Sequence, residues 1–235
     1  MATYVLIHGA SSDSWYWHRM VPELQRRGHD VVAPDLPCDD DAAGLAEYAD
    51  TVVDAIGERR DLIVVAQSMA GFTAPIVCER VKVDLLVMLT AMVPRPNESP
   101  GEWWGNTGYA QAKRESDERL GLPADGDFDL LSTFFHDVSA DVTAEAVARG
   151  ERDQSDTPFI KPWPLVAWPD VPTKFLLCRD DRFFPAEFMR HVVRERLGIT
   201  PDEMESGHLP ALGHPMELVE RLEMYREAHL GRSAG

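Results

Sequence analysis

Ser68, Asp181 and His208 occur in that order along the chain, each just after a strand-like stretch. Such a trio can carry out acyl transfer: a serine hydroxyl attacks a carbonyl, an imidazole takes its proton, and a carboxylate holds that imidazole in one tautomer. The serine is the most sharply marked of the three. Residues 62–71 read Leu-Ile-Val-Val-Ala-Gln-Ser-Met-Ala-Gly, an apolar run that stops at a serine flanked by small residues. This pattern predicts a strand, a sharp strained turn and the start of a helix, with the Ser68 hydroxyl held clear of the backbone. Where strand and helix cross closely, side chains two residues either side of the serine would collide. Ala66 and Ala70 stand there, carrying the smallest side chain that can replace glycine, and Gly71 follows at once.

Eight histidines compete for the role of base. His18, His136, His191 and His229 fall in expected helices or in an inserted segment, and His29 begins a strand at the far edge of the sheet. His208 follows Ser206-Gly207 just beyond a short strand. His214 is the rival, but it precedes Pro215 and is expected to cap the last helix. For the acid, Asp180 and Asp181 both follow the strand ending at Cys178. Adjacent side chains point in different directions, so only one can meet the imidazole; we assign Asp181, leaving Asp180 a loop or helix-capping role.

The elements that must position these groups alternate. Strands are expected over 3–7, 29–36, the run before Ser68, 83–92, 171–178 and 203–205, and helices over 14–27, 42–56, 69–81, 185–197 and 215–230. Regular alternation implies right-handed crossovers and a mostly parallel sheet of about six strands with helices on both faces. Such sheets bind ligands at the carboxyl ends of their strands, where the loops after Ile7 and at Ser68 both lie. Between about 94 and 170 the pattern changes to many prolines, the Trp103-Trp104 pair, Phe134-Phe135 and two helical stretches at 109–120 and 140–149. This reads as a helical cap inserted over the site.

The 235 residues fit one α/β domain, 1–235, with that insertion, and 44% hydrophobic and 27% charged residues are ordinary for a globular protein. Asp and Glu outnumber Lys and Arg by 40 to 23, for a formal charge of −17. That charge disfavours nucleic acid and anionic membrane surfaces as partners. The chain enters a strand at Tyr4-Val5-Leu6-Ile7 without a basic leader or a long apolar stretch, so a cytoplasmic location is expected. Cys38, Cys78 and Cys178 lie in separate elements without metal-ligand spacing. They are expected to be reduced thiols, Cys78 and Cys178 in the core, and no metal is expected.

Taken together, the pieces Leu6-Ile7-His8-Gly9-Ala10, Trp15-Tyr16-Trp17, Gly28-His29, Ser68, Leu89-Thr90-Ala91-Met92-Val93-Pro94 and Gly207-His208 resemble the plant methylesterase and hydroxynitrile lyase group of α/β-hydrolases. The resemblance covers nearly the whole chain and is specific outside the cap. It implies the α/β-hydrolase fold, with Ser68 at the apex of the nucleophile elbow. It places the acid four residues before the proline that opens the next helix, which falls on Asp181 relative to Pro185, and the base on His208. It also implies an oxyanion hole at the backbone N–H groups of Ala10 and Met69.

The resulting expectation is a cofactor-independent serine hydrolase acting on a carboxylic ester or related acyl compound of small-molecule size. Ser11, Trp103, Trp104, Phe135, His136 and Leu209 are the candidate pocket residues. Two alternatives stay open: carbon–carbon lyase chemistry in the same pocket, and a small-molecule receptor with an idle triad. Against the lyase, the resemblance implies a lysine after the base and a threonine after the first-loop histidine in the lyase branch, where this chain has Leu209 and Gly9. The oligomeric state is open, a homodimer being one arrangement to expect.

Overall fold

The structure, a computed structural model, describes residues 1–122 and 129–233. Six parallel strands form one sheet in the order β2-β1-β3-β4-β5-β6: β1 (Thr3–Ile7), β2 (Asp30–Val32), β3 (Leu62–Gln67), β4 (Leu85–Leu89), β5 (Thr173–Cys178) and β6 (Asp202–Met204). The central strands are apolar without a break because both faces are covered. In β1, Val5 and Ile7 enter one core cluster while Tyr4 and Leu6 enter the other, as the two-residue period of a strand requires.

Helices α1 (Val21–Arg26), α2 (Leu45–Ile56) and α3 (Ala70–Arg80) connect the first four strands. Between β4 and β5 the described residues form five helices: α4 (Pro100–Asn106), α5 (Tyr109–Leu120), α6 (Leu130–Phe134), α7 (Ala140–Arg149) and α8 (Thr157–Ile160). Then follow α9 (Ala186–Leu197), α10 (Pro210–Gly213) and α11 (Pro215–Ser233). Helices α2, α3 and α9 bury Val52, Phe72 and Met189 in one cluster, while α1 and α11 bury Leu24 and Leu222 in the other, so the sheet lies between two helical layers.

Several elements differ from the sequence expectation. The helix over 14–27 is a 3-10 turn at Ser14–Trp17, capped by the Asp13 carboxylate on the Trp15 N–H, followed by α1 with Pro22 in its first turn. A proline there lacks the N–H that a continuous helix would need, so the helix restarts. The second strand is only three residues long, and Pro34 follows it without a ladder donor. In the expected core positions, Cys178 is buried but Cys78 only partly so; Cys38 is buried instead, and all three are free thiols. His29 is committed far from the site, with Nε2 3.1 Å from Glu223 of α11.

Candidate active site

Ser68 follows β3 and has φ of +54°, a left-handed conformation that a non-glycine residue adopts at a cost of order 1–3 kcal/mol. The strain is held from both sides. The Ser68 carbonyl accepts from Met92 N–H at 2.9 Å, and the Ser68 N–H donates to Leu89 O at 3.3 Å. Ala66 and Ala70 are fully packed yet accommodated. The closest approach falls at Gly71, where a Cβ would stand 1.9 Å from the Met92 carbonyl oxygen.

His208 Nε2 lies 3.0 Å from Ser68 Oγ, and His208 Nδ1 lies 2.7 Å from Asp181 Oδ2. With Nδ1–H donating to the carboxylate, Nε2 is the acceptor that faces the serine hydroxyl. Asp181 is deeply buried and receives four donors: Thr90 Oγ1 at 2.6 Å and His208 on Oδ2, and the Phe183 and Phe184 N–H groups, both at 2.8 Å, on Oδ1. Asp180 is exposed and contributes its backbone N–H to Ser206 O. Phe134, Phe183 and Phe184 surround the imidazole with ring centroids 5.0–5.2 Å away. Their edges and faces exclude water from it while leaving the serine side open.

The loop after β1 is set by His8. Its ring is buried, Nδ1 donates to Gly9 O at 2.8 Å, and Nε2 accepts from Leu36 N–H at 3.1 Å. Burial pushes the His8 imidazole below its ordinary value, which matches this neutral tautomer. Because a trans peptide is planar, fixing the Gly9 carbonyl also fixes the Ala10 N–H on the opposite side. Among the described residues, neither the Ala10 N–H nor the Met69 N–H has a hydrogen-bond partner within the protein. Gly9 itself lies under the elbow, where a Cβ would come within 2.5 Å of Gln67 Oε1.

These groups open into a cavity of about 640 Å³. Ser68, Gln67 and His208 are among its polar lining residues, and Phe134, Phe183 and Leu212 are among its apolar ones. Of the six side chains expected at the pocket, Ser11, Phe135 and Leu209 line the cavity. Trp103, Trp104 and His136 do not. Trp103 is fully buried, donates Nε1–H to Val93 O at 3.0 Å and packs on Phe184 and Phe188. Trp104 packs edge-on against Tyr109 and Phe183, and the His136 Nε2 is buried against Gly207. The reason is local: α4 starts on a reciprocal cap between Ser99 and Glu102, which turns its tryptophans toward α9 and the core.

Sequence reasoning passed over three groups near His208. Gln67, the polar residue ending an otherwise apolar strand, donates Nε2–H to His208 O at 3.2 Å. Thr90 braces Asp181, and Asp137 reaches the loop before His208. The cations that line the cavity are already matched. Arg149 pairs with Asp13 at 2.9 Å and stacks over the Trp15 ring, and Arg152 pairs with Asp39 at 2.9 Å. Tyr16, also on the wall, is buried and its phenol is pushed well above the ordinary value, so it stays a neutral hydroxyl. Among the described residues no cluster of His, Cys, Asp and Glu is arranged to hold a metal ion.

A model of the "Alpha/beta hydrolase family" matches residues 4–222. The chain is 23% identical to norfluorocurarine synthase 1 of a Strychnos species over 94% of this chain and 93% of that protein. It is 22% identical to methylesterase 1 of Arabidopsis thaliana over 92% of each. The crystal structure of polyneuridine aldehyde esterase, a protein known from Rauvolfia serpentina, superposes with a TM-score of 0.75 at 21% identity, covering 96% of this chain and 99% of that one. The six-stranded parallel sheet between two helical layers, the serine turn after its third strand and this match over nearly the whole chain place the protein in the alpha/beta hydrolase family.

Proposed function

We propose that the chain is a serine hydrolase of small, predominantly apolar carboxylic esters. The observation that carries this reading is the hydrogen-bonded line from Ser68 through His208 to Asp181, 3.0 and 2.7 Å, with Ser68 and His208 on the wall of the cavity. In this reading His208 Nε2 takes the Ser68 proton as Oγ attacks the ester carbonyl, and Asp181 stabilises the imidazolium that forms. The oxyanion faces the Ala10 and Met69 N–H groups, each such donor contributing about 2.7–4 kcal/mol to the transition state. His208 then protonates the departing alcohol, and water, deprotonated by the same imidazole, releases the acid from the acyl-enzyme. The segment bearing α4–α8 acts as the cap, since Phe134, Phe135 and Arg152 from it face the cavity.

The cavity volume lies within the range of small-molecule sites. Arg149 and Arg152 are already paired, which supports a neutral rather than an anionic substrate. Relatives described as methylesterase and aldehyde esterase fit the same reading. Leu209, directly after the base, lines the cavity without charge or donor, so a departing anion such as cyanide would be left unpaired. A series of p-nitrophenyl esters of rising acyl length tests the reading. Turnover that disappears in Ser68→Ala is the expected result, together with labelling of Ser68 by a fluorophosphonate. An intact protein that turns over no ester and takes no label would overturn it.

A further inference from the structure

The loop that carries His208 is held by a residue outside the sheet. Asp137 lies between α6 and α7, in the segment between β4 and β5. Its Oδ2 accepts the Gly207 N–H at 2.5 Å, lies 3.3 Å from Ser206 Oγ, and lies 3.3 Å from His214 Nε2. One carboxylate oxygen thus meets the side chain two residues before His208, the backbone N–H of the residue immediately before it, and a side chain six residues after it.

The packing matches this convergence. Asp137 Oδ1 and His136 Nε2 are buried over Gly207, and a Cβ there would come within 2.5 Å of the first and 2.8 Å of the second. At Gly213 a Cβ would stand 3.3 Å from the Asp137 carbonyl oxygen. Two further backbone ties of this loop come from the sheet side, Asp180 N–H to Ser206 O at 3.0 Å and Gln67 Nε2–H to His208 O at 3.2 Å, and Ser206 Oγ lies 3.1 Å from Gly207 O within the loop. The Gly207–His208 pair is therefore held at both ends, by Asp137 on the peptide N–H that enters it from the cap side and by Gln67 on the peptide carbonyl that leaves it on the sheet side.

We propose that Asp137 is a positioning residue: by holding the Gly207 N–H it sets the backbone from which the His208 imidazole reaches Ser68 and Asp181, making a docked cap a condition for a competent base. This rests on the reading of His208 as general base. A carboxylate serving stability alone would alter the unfolding midpoint and leave the rate of the folded protein unchanged. A positioning carboxylate alters the rate, because a misplacement of about 1 Å can cost about 10²-fold without any loss of binding.

The test compares Asp137→Ala and Asp137→Asn, assayed below their unfolding midpoints, for kcat and KM on a p-nitrophenyl ester and for the rate of phosphonylation by a fluorophosphonate. Asp137→Ala should lower kcat and the phosphonylation rate together by about 10- to 100-fold, with KM held within about twofold. Asp137→Asn keeps an oxygen to accept from Gly207 and should recover most of the lost rate. Should the alanine variant not fold, Gly207→Ala disturbs the same contact from the other side and should show the same fall in kcat. Labelling of Asp137→Ala at the rate of the unaltered protein, or an equal loss in the alanine and asparagine variants, would overturn the proposal. An unaltered protein that takes no label would instead overturn the hydrolase reading beneath it.

Discussion

The Asp181 carboxylate meets donors on every side, with Thr90 Oγ1 and His208 Nδ1 on one oxygen and two backbone N–H groups on the other. An asparagine in its place must turn its NH2 toward a donor in either orientation. The less costly outcome is for the imidazole to reverse its tautomer, which leaves Nε2 protonated and unable to accept from Ser68. Asp181→Asn should therefore lower kcat by about 10⁴-fold, whereas Asp180→Asn, at an exposed side chain, should leave kcat close to that of the unaltered protein. Ester turnover by the two purified variants decides it, and a reversed ranking would move the acid to Asp180. Asp181, His208 and Ser68 were legible because each stands where a strand-like stretch ends. Thr90, Gln67 and Asp137 were not, because their partners lie 91, 141 and 70 positions away and only the folded chain brings them together.

At the scale of elements, the crossing of α3 over the end of β4 is the tightest joint near the site. The Met92 carbonyl occupies the space where a side chain at position 71 would begin. Gly71→Ala should cost at least the 1–3 kcal/mol typical of overpacking, read as a lower urea midpoint, and should slow fluorophosphonate labelling by shifting the serine turn. A variant with an unchanged midpoint would mean that the crossing has room to spare. The same joint explains why β4 stops at Leu89 and does not run on to position 92. Thr90 turns to φ of +37° so that its hydroxyl reaches Asp181, a tertiary demand that the apolar run of residues 85–89 before it does not show. Helices over 109–120 and 140–149 were legible from their spacing and match α5 and α7. Helix α4 was missed although Ser99 and Glu102 form its cap, because the surrounding prolines and glycines read as loop.

Over the whole molecule, the two clusters on either face of the sheet place most large apolar side chains where the pattern of the sequence put them. The tryptophans of the inserted segment are the exception. A run of aromatics signals burial but not whether the partner is a ligand or the protein itself, and Trp103 found the protein. The neutral His8 also bears on how the folded state responds to acid. Its Nε2 accepts from Leu36, so a proton there would set two donors against each other. Folding thus holds the imidazole below its ordinary value, and the unfolded chain binds a proton that the folded one refuses. The stability tied to this site is complete above about pH 6.5 and drains away as the pH falls through the folded-state value, at up to about 1.4 kcal/mol per pH unit. Urea midpoints between neutral and mildly acidic pH should fall more steeply for the unaltered protein than for His8→Gln, whose amide does not titrate. Parallel slopes would assign the acid sensitivity to other groups. The side chain that orients the Ala10 N–H is thereby also a proton-linked brake on folding.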